Sequence, residues 1–308
     1  MNHPTKPSIK PPTVSVIIPS YRQAATVALT LRSLRQQTFT DFEVIVVDSS
    51  HDETTELIRN ELKSFPSSKL IENRNQLGAA IQRNQGIKES RGEWLTFLDT
   101  DVILSKDWLE TMLAKAVSRP DAELVSASTI ANGNSRFFWS RIIHWAEFGE
   151  FAPETSRKPK KFVPSAALLT HRTVPEKWGG FIEALISEDL ITINHWRNQG
   201  CAIYWEPDVT CWHLNRHTAS TVLERIFLLG KSSAIVRRKL NLSGSWITKT
   251  AVLCLALWLV RLFRISRRVL STGEVNLPRF LWHLPALLLV TLGWNFGFFV
   301  GSLVQVEK

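Results

Sequence analysis

The chain has 308 residues, with 37 Lys+Arg against 28 Asp+Glu and a formal charge of +9. Residues 231–308 hold 11 of the basic and 2 of the acidic side chains, leaving 1–230 balanced at 26 of each, so the chain is not the uniformly basic surface that nucleic acid requires. A balanced stretch of that length buries roughly 70% of its unfolded surface without staples, and three cysteines (Cys201, Cys211, Cys254) with no CxxC or CxxH spacing exclude a disulfide framework or zinc knuckle.

Residues 1–13 are Pro-rich and lack an apolar h-region, so a disordered lead-in is expected there, not a signal peptide. Val14-Ser-Val-Ile-Ile-Pro19 is apolar and ends in proline, which predicts a strand buried on both faces of a parallel sheet. Between residues 23 and 37, Val27, Ala28, Leu31 and Leu34 share one helical face, and a β-branched run over 42–47 follows, completing a right-handed βαβ unit. A helix over 57–63, a short strand over 69–71, a helix over 78–89 and a central strand over 94–98 continue the alternation. The fold class expected is α/β: an open, mostly parallel sheet with flanking helices and a Rossmann-like nucleotide half, its ligand site at the carboxyl ends of the strands. Ser20, Asp48, Asp99 and Asp101 stand at those ends.

Past residue 120 the rhythm weakens. Phe137, Phe138, Trp139, Trp145 and Phe148 predict core packing, with an acceptor platform or membrane-facing patch as the alternatives, and a basic loop covers 157–161. The tail differs in kind. The uncharged run 250–260 is too short to span a bilayer, whereas 280–304 is long enough. Arg261, Arg264 and Arg268 recur at helical spacing and predict a basic stripe against the anionic headgroups of a membrane surface. An interfacial helix over about 246–268 and one transmembrane helix over about 280–304 are expected, ahead of a two-helix hairpin that would oppose the positive-inside tendency.

Asp99-Thr-Asp101 directly follows the 94–98 strand. Two carboxylates at i and i+2 off a strand end can hold Mg²⁺ or Mn²⁺ against a diphosphate, although the tripeptide alone also arises in solvated turns. Asp48 can accept hydrogen bonds from a base or ribose or close an Asx-type turn, and Asp52 suits a helix N-cap.

Val14-Ser-Val-Ile-Ile-Pro-Ser-Tyr21, Val46-Val-Asp-Ser-Ser-His-Asp-Glu-Thr54, Gly78-Ala-Ala-Ile-Gln-Arg-Asn-Gln-Gly86 and Gly92-Glu-Trp-Leu-Thr-Phe-Leu-Asp-Thr-Asp101 stand in the order and spacing of the family 2 glycosyltransferases. The chain resembles that family to about residue 238. The resemblance implies a GT-A fold, a nucleotide-diphosphate sugar donor and a divalent cation. It places Pro19, Ser20 and Tyr21 along the nucleotide, Asp48 on the base or ribose, Arg83 and Asn84 near the donor, Asp99 near the ribose and Asp101 on the metal. Ser49 stands where the family often has a second aspartate. Ser187-Glu-Asp-Leu190 opens a helix with apolar Leu190, Ile193 and Trp196. That position favours carboxylates as caps, and it also resembles the family's acidic pair, with Asp189 as general base and Glu188 as the other candidate. His213 ends the strand Val209-Thr-Cys-Trp-His213 and resembles the family's metal- or diphosphate-binding histidine, against the ordinary alternative of a hydrogen-bonded structural His. Trp178, Gly179 and Gly180 form an acceptor-side loop in which glycines permit close backbone approach and Trp178 could stack on an acceptor, or could simply pack.

The expected whole is a membrane-bound, metal-dependent, inverting hexosyltransferase: a nucleotide-sugar half over 14–120, an acceptor half over 121–238 and a membrane-associated tail over 239–308. The catalytic domain is expected to be cytosolic, with a lipid, polyprenyl or glycan acceptor at the membrane. The alternatives are a non-catalytic nucleotide-sugar-binding scaffold and, more remotely, a nucleotidyltransferase, for which the first strand lacks a Gly-rich phosphate loop.

Overall fold

The computed structural model describes residues 10–155, 159–183, 187–242 and 244–305. Arg157 and Lys158 of the expected basic loop, and the lead-in to residue 9, lie outside them. The expected alternation is present as β1 (Val14–Ser20), α1 (Val27–Arg35), β2 (Phe42–Asp48), α2 (Glu53–Leu62), β3 (Ser68–Glu72), α3 (Ala79–Glu89) and β4 (Trp94–Leu98). All residues of β1 and β4 are buried, as apolar runs on both faces require. α2 starts four residues before its apolar periodicity does. The Asp52 carboxylate caps it by accepting the Thr54 N–H at 2.9 Å, and Glu53 and Glu56 sit in its first turn.

The second half contains β5 (Val102–Leu104), α4 (Trp108–Val117), β6 (Leu124–Asn132), α5 (Phe138–Glu147), β7 (Ala167–His171), α6 (Thr173–Trp178), α7 (Glu188–Asn198), β8 (Ala202–His213) and α8 (Ala219–Lys239). One eight-stranded sheet runs β3-β2-β1-β4-β7-β6-β8-β5. Its first four strands are parallel. β7 then enters antiparallel between β4 and β6, and β5 pairs antiparallel with the far end of β8, Val102 opposite His213. That last pairing carries the segment just after β4 across to the end of β8, which positions the site. Core clusters fill both sheet faces, one with α1, α2 and α4 and the other with α3, α6 and α7.

A third cluster joins α5 and α8 to the tail, which forms α9 (Ala251–Ser271) and α10 (Leu277–Leu303). Trp145 is buried there, with its indole N–H on the Glu274 carboxylate; Phe148 is also buried, Phe138 and Trp139 pack half-buried against the cluster, and Phe137 lies outside it. α10 is the one helix among the described residues long and apolar enough to cross a membrane, and half of its apolar window is buried in the protein. It lies tightly against α8. A Cβ on Gly297 would sit 2.0 Å from the Phe227 carbonyl oxygen, and one on Gly301 2.3 Å from that of Lys231, while Gly230 of α8 presses on the Trp294 carbonyl in return. Small residues four apart let two backbones approach this closely. Gly293, one turn earlier, has only ordinary contacts at 3.8 Å and beyond. Gly297→Ala is therefore expected to destabilise by about 1–3 kcal/mol through overpacking, whereas Gly293→Ala should be neutral or stabilise by up to about 1 kcal/mol through helix propensity. Thermal or urea denaturation of the two variants in detergent checks this; equal behaviour would refute the close packing.

The arginine stripe lies on one helix face as expected and also finds partners within the protein. Arg261, Arg264 and Arg268 do share one face of α9, but that face turns toward the α5 end of the protein: Arg261 donates to the Ala146 carbonyl at 2.8 Å, and Arg264 and Arg268 reach Glu150 at 3.2 and 2.7 Å. The outward face of α9 carries Leu259, Val260 and Phe263 instead. A carboxylate and a carbonyl within reach outcompete water for the guanidiniums.

Candidate active site

The carboxyl ends of β1 and β4, the end of α5, the first turn of α7, the end of β8 and the start of α8 enclose a cleft of about 500 Å³, an ordinary size for a small-molecule site. Pro19, Tyr21, Arg83, Asp99, Asp101, Glu188, Asp189 and His213 all line it. Residues from the two expected halves of the fold thus meet in one place.

Arg83 links them. Its buried guanidinium donates to Asp99 Oδ1 and to Glu188 Oε1, each at 2.8 Å, and lies over the Phe181 ring at 4.9 Å. Burial holds the Asp99 carboxyl above its usual range even with Arg83 opposing the shift. Ser187, at φ +67°, is a non-glycine residue in the left-handed region, and the turn it makes sets Glu188 and Asp189 on the cleft wall. Asp189 Oδ1 accepts the Leu190 N–H at 2.7 Å. Burial, then the Glu188 charge, push its carboxyl up to about 6. That is a carboxylate poised near neutrality, as a general base needs to be.

Asp101 faces His213 across the β5–β8 pairing, with His213 Nε2 3.3 Å from Asp101 Oδ1 and the Phe148 ring packed on the imidazole at 4.5 Å. No group of three His, Cys, Asp or Glu able to cage a metal occurs among the described residues. One carboxylate and one imidazole nevertheless suit Mg²⁺ or Mn²⁺ when phosphate oxygens complete the shell, the usual arrangement for ions that arrive with a phosphorylated substrate. The charge of the cleft supports that fit. Five carboxylates (Asp99, Asp101, Glu147, Glu188, Asp189) face three guanidiniums (Arg83, Arg216, Arg225), a lining that favours a cation accompanying an anionic ligand.

Six expected site residues lie off the cleft wall. Ser20 and Asp48 sit side by side at the ends of β1 and β2, but both Asp48 oxygens are occupied locally, by the hydroxyls of Ser50 and, at 2.6 Å, Thr55. Gln82 Nε2 ties this edge together by donating to the Ser20 and Val47 carbonyls and to Ser49 Oγ. Asn84 clamps the Phe181 backbone with both amide atoms, at 2.8 and 2.7 Å. Gly180 is needed there because a Cβ would meet Asn84 Oδ1 at 2.2 Å. Trp178 packs at the edge of the core, and its carbonyl and that of Gly179 accept from His195 and Trp196. This loop is tied to the C-terminal half of α7, at His195 and Trp196, and does not itself face the cleft.

Glu147, Arg216 and Arg225 were not anticipated. Arg225 gives Nη2 and Nε to Glu147 Oε1 at 2.6 and 3.2 Å. Burial opposes ionisation of Glu147, yet Arg225 outweighs it and holds the carboxyl below its usual range. Single charges at the end of α5, in the segment between β8 and α8 and on α8 read as solvated positions in the sequence, and only the fold brings them to the cleft wall.

Residues 15–174 match the family model described as Glycosyl transferase family 2. Glycosyltransferase AglE of Haloferax volcanii is 28% identical over 263 residues, covering 81% of this chain and 80% of the relative. The GalNAc(5)-diNAcBac-PP-undecaprenol beta-1,3-glucosyltransferase of Campylobacter jejuni is 34% identical over 107 residues, covering 34% of this chain and 35% of the relative. Of several other curated relatives the chain spans between 30% and 48% of the length. Among solved structures, the mannosyltransferase PcManGT from Pyrobaculum calidifontis, in complex with GDP-Man and Mn²⁺, superposes with a TM-score of 0.62 at 21% identity, over 96% of this chain and 88% of that one.

Proposed function

The chain belongs to glycosyl transferase family 2 and has the GT-A fold, and from that premise we propose that this glycosyltransferase is metal-dependent and inverting, moving a hexosyl unit from a nucleotide-diphosphate sugar to an acceptor hydroxyl at the membrane. One observation carries the reading: Asp99 and Asp101 after β4 and the Glu188–Asp189 pair opening α7 line a single cleft. The nucleotide lies against Pro19 and Tyr21, with Asp99 toward the ribose; Ser20, Asp48 and Asn84 shape that wall from behind. Asp101 and His213 would hold the divalent cation, which would supply positive charge to the departing diphosphate. Asp189 takes the proton of the acceptor hydroxyl as that oxygen bonds to the anomeric carbon. The bond from that carbon to the diphosphate breaks, and nucleoside diphosphate leaves. A leaving group that is already anionic needs no second acid. Arg83 orients Glu188 and Asp99 around this centre, and Arg216 and Arg225 add positive charge on the side of α8.

The acceptor is taken to be lipid-linked, polyprenyl or glycan. The Campylobacter relative is named for an undecaprenol-diphosphate substrate. Here, α9 and α10 present exposed apolar side chains, among them Phe263, Leu281, Trp282 and Phe296, as a surface for the bilayer. The catalytic domain then lies on the cytosolic side, where nucleotide-sugars are made.

A panel of GDP- and UDP-sugars, each with and without Mn²⁺, tests the reading by thermal shift. The cognate donor at about a hundred times its Kd should stabilise by about 2.7 kcal/mol, and only with the cation present. A panel in which no donor stabilises with Mn²⁺ would sink it.

A further inference from the structure

A second recess, of about 480 Å³, lies on the far side of the 146–150 segment from the cleft, between α5, the end of α8, α9 and α10. Arg237, which also donates to Ser233 Oγ, Arg261, Arg264 and Arg268 line it, with Glu150 as the one carboxylate on its wall among the described residues. Glu150 is shared by Arg264 and Arg268. Arg261 stacks over the Trp294 indole at 4.5 Å and gives one N–H to the Ala146 carbonyl, while its Nε is buried with no acceptor. Burial, then the charge of Arg268, push Arg261 down to about 10. Arg237 is lowered by burial and by Arg264. Guanidiniums held this close with one carboxylate among them form a site that an oxyanion completes, since arginine's planar fork matches phosphate oxygens two at a time.

The opposite wall is hydrocarbon. Leu257 and Val260 of α9 and Phe298 of α10 contribute to it. Val260 is 55% exposed and continues into Leu259 and Phe263 on the outward face of α9. A free phosphate would use only the arginine side of such a recess; an amphiphile uses both. We propose that this recess binds the phosphate group of a membrane lipid, its oxygens among the four arginines and its chain running over Val260 onto the outer face of α9. The site shares no residue with the catalytic cleft and does not depend on which donor that cleft takes.

The test uses the full chain in a non-ionic detergent and reads binding by thermal shift, without turnover. The probes are a short-chain phosphatidate, diacylglycerol of the same chains, and inorganic phosphate. Phosphatidate should bind at least about tenfold more tightly than inorganic phosphate, and diacylglycerol should give no shift. The double variant Arg237→Gln/Arg264→Gln should weaken phosphatidate about tenfold or more. Lys249→Gln/Arg267→Gln removes equal charge outside this recess and should weaken it by less than about threefold. If the first pair disturbs folding, Arg264→Lys keeps the charge but loses the fork, and should still weaken binding severalfold. Equal loss in both pairs would reduce the effect to diffuse electrostatics and overturn the proposal. So would inorganic phosphate matching phosphatidate, which would make the recess a free-anion site, or no binding by any probe.

Discussion

An Asp101→Ala enzyme is expected to transfer sugar about a thousandfold more slowly than wild type, and to lose the Mn²⁺-dependent part of its stabilisation by donor. The size follows from the several kcal/mol that a bound cation contributes at a departing phosphate, each 1.36 kcal/mol being a factor of ten. Asp101 faces His213 at 3.3 Å, with its backbone carbonyl fixed by the Leu214 N–H at 2.7 Å. The side chain can therefore be removed while the β5–β8 pairing stays, and the melting temperature without ligand should change little. Steady-state transfer and ligand-dependent melting, measured on the same preparation, separate loss of the cation from loss of the fold. A variant that kept both metal-dependent transfer and metal-dependent melting would remove Asp101 from the metal site.

Asp189→Asn should cost about 10²–10⁴ in kcat, the range a general base contributes, and should do so without weakening the protein. Folded, Asp189 holds its proton to about 6 against an ordinary value of 3.8. Its contribution to stability is thus full below about 3.8 and is lost as pH rises through about 6. Above that pH the native state bears a buried charge that asparagine does not carry, so at neutral pH the variant should melt at or above the wild-type temperature. The wild-type kcat should fall as pH drops through about 6, while the residual rate of the variant should be flat there. A variant with wild-type rate, paired with an inactive Glu188→Gln, would move the base to Glu188.

The parallel half of the fold was legible because its strands are buried on both faces and read as unbroken apolar runs, β1 and β4 above all. The Asp99–Asp101 pair was legible for a related reason, since a charge next to a buried run has few places to go, whereas the acidic pair at α7 was legible only through its resemblance to the family's. β7 was not. Its five residues carry no sign that they pair antiparallel with β4, a choice made by the chain's path after α5. The Glu147–Arg225 pair was hidden because nothing local joins α5 to α8. The arginine spacing on α9 gave the right helix face, yet periodicity names a face without naming its neighbour, and Glu150 and the Ala146 carbonyl supplied one. Gly297 and Gly301, four apart in an apolar run, did carry a signal for close helix packing that the apolar length obscured.

Those glycines bear on how the enzyme would meet its acceptor. Gly230, pressed against α10, is five residues along α8 from Arg225 in the cleft, about 7.5 Å of helix axis. On the membrane placement proposed for α10, that helix and the catalytic wall are joined by one rod, the unbroken α8. A catalytic domain on a flexible leash would sweep a sphere and reach hydroxyls at any depth; on this mount it would work at a single height, selecting acceptors by how far their sugar stands above the lipid. Removing the tail to obtain a freely soluble enzyme would strip the packing from α8 itself, and the cleft would lose its wall along with its anchor.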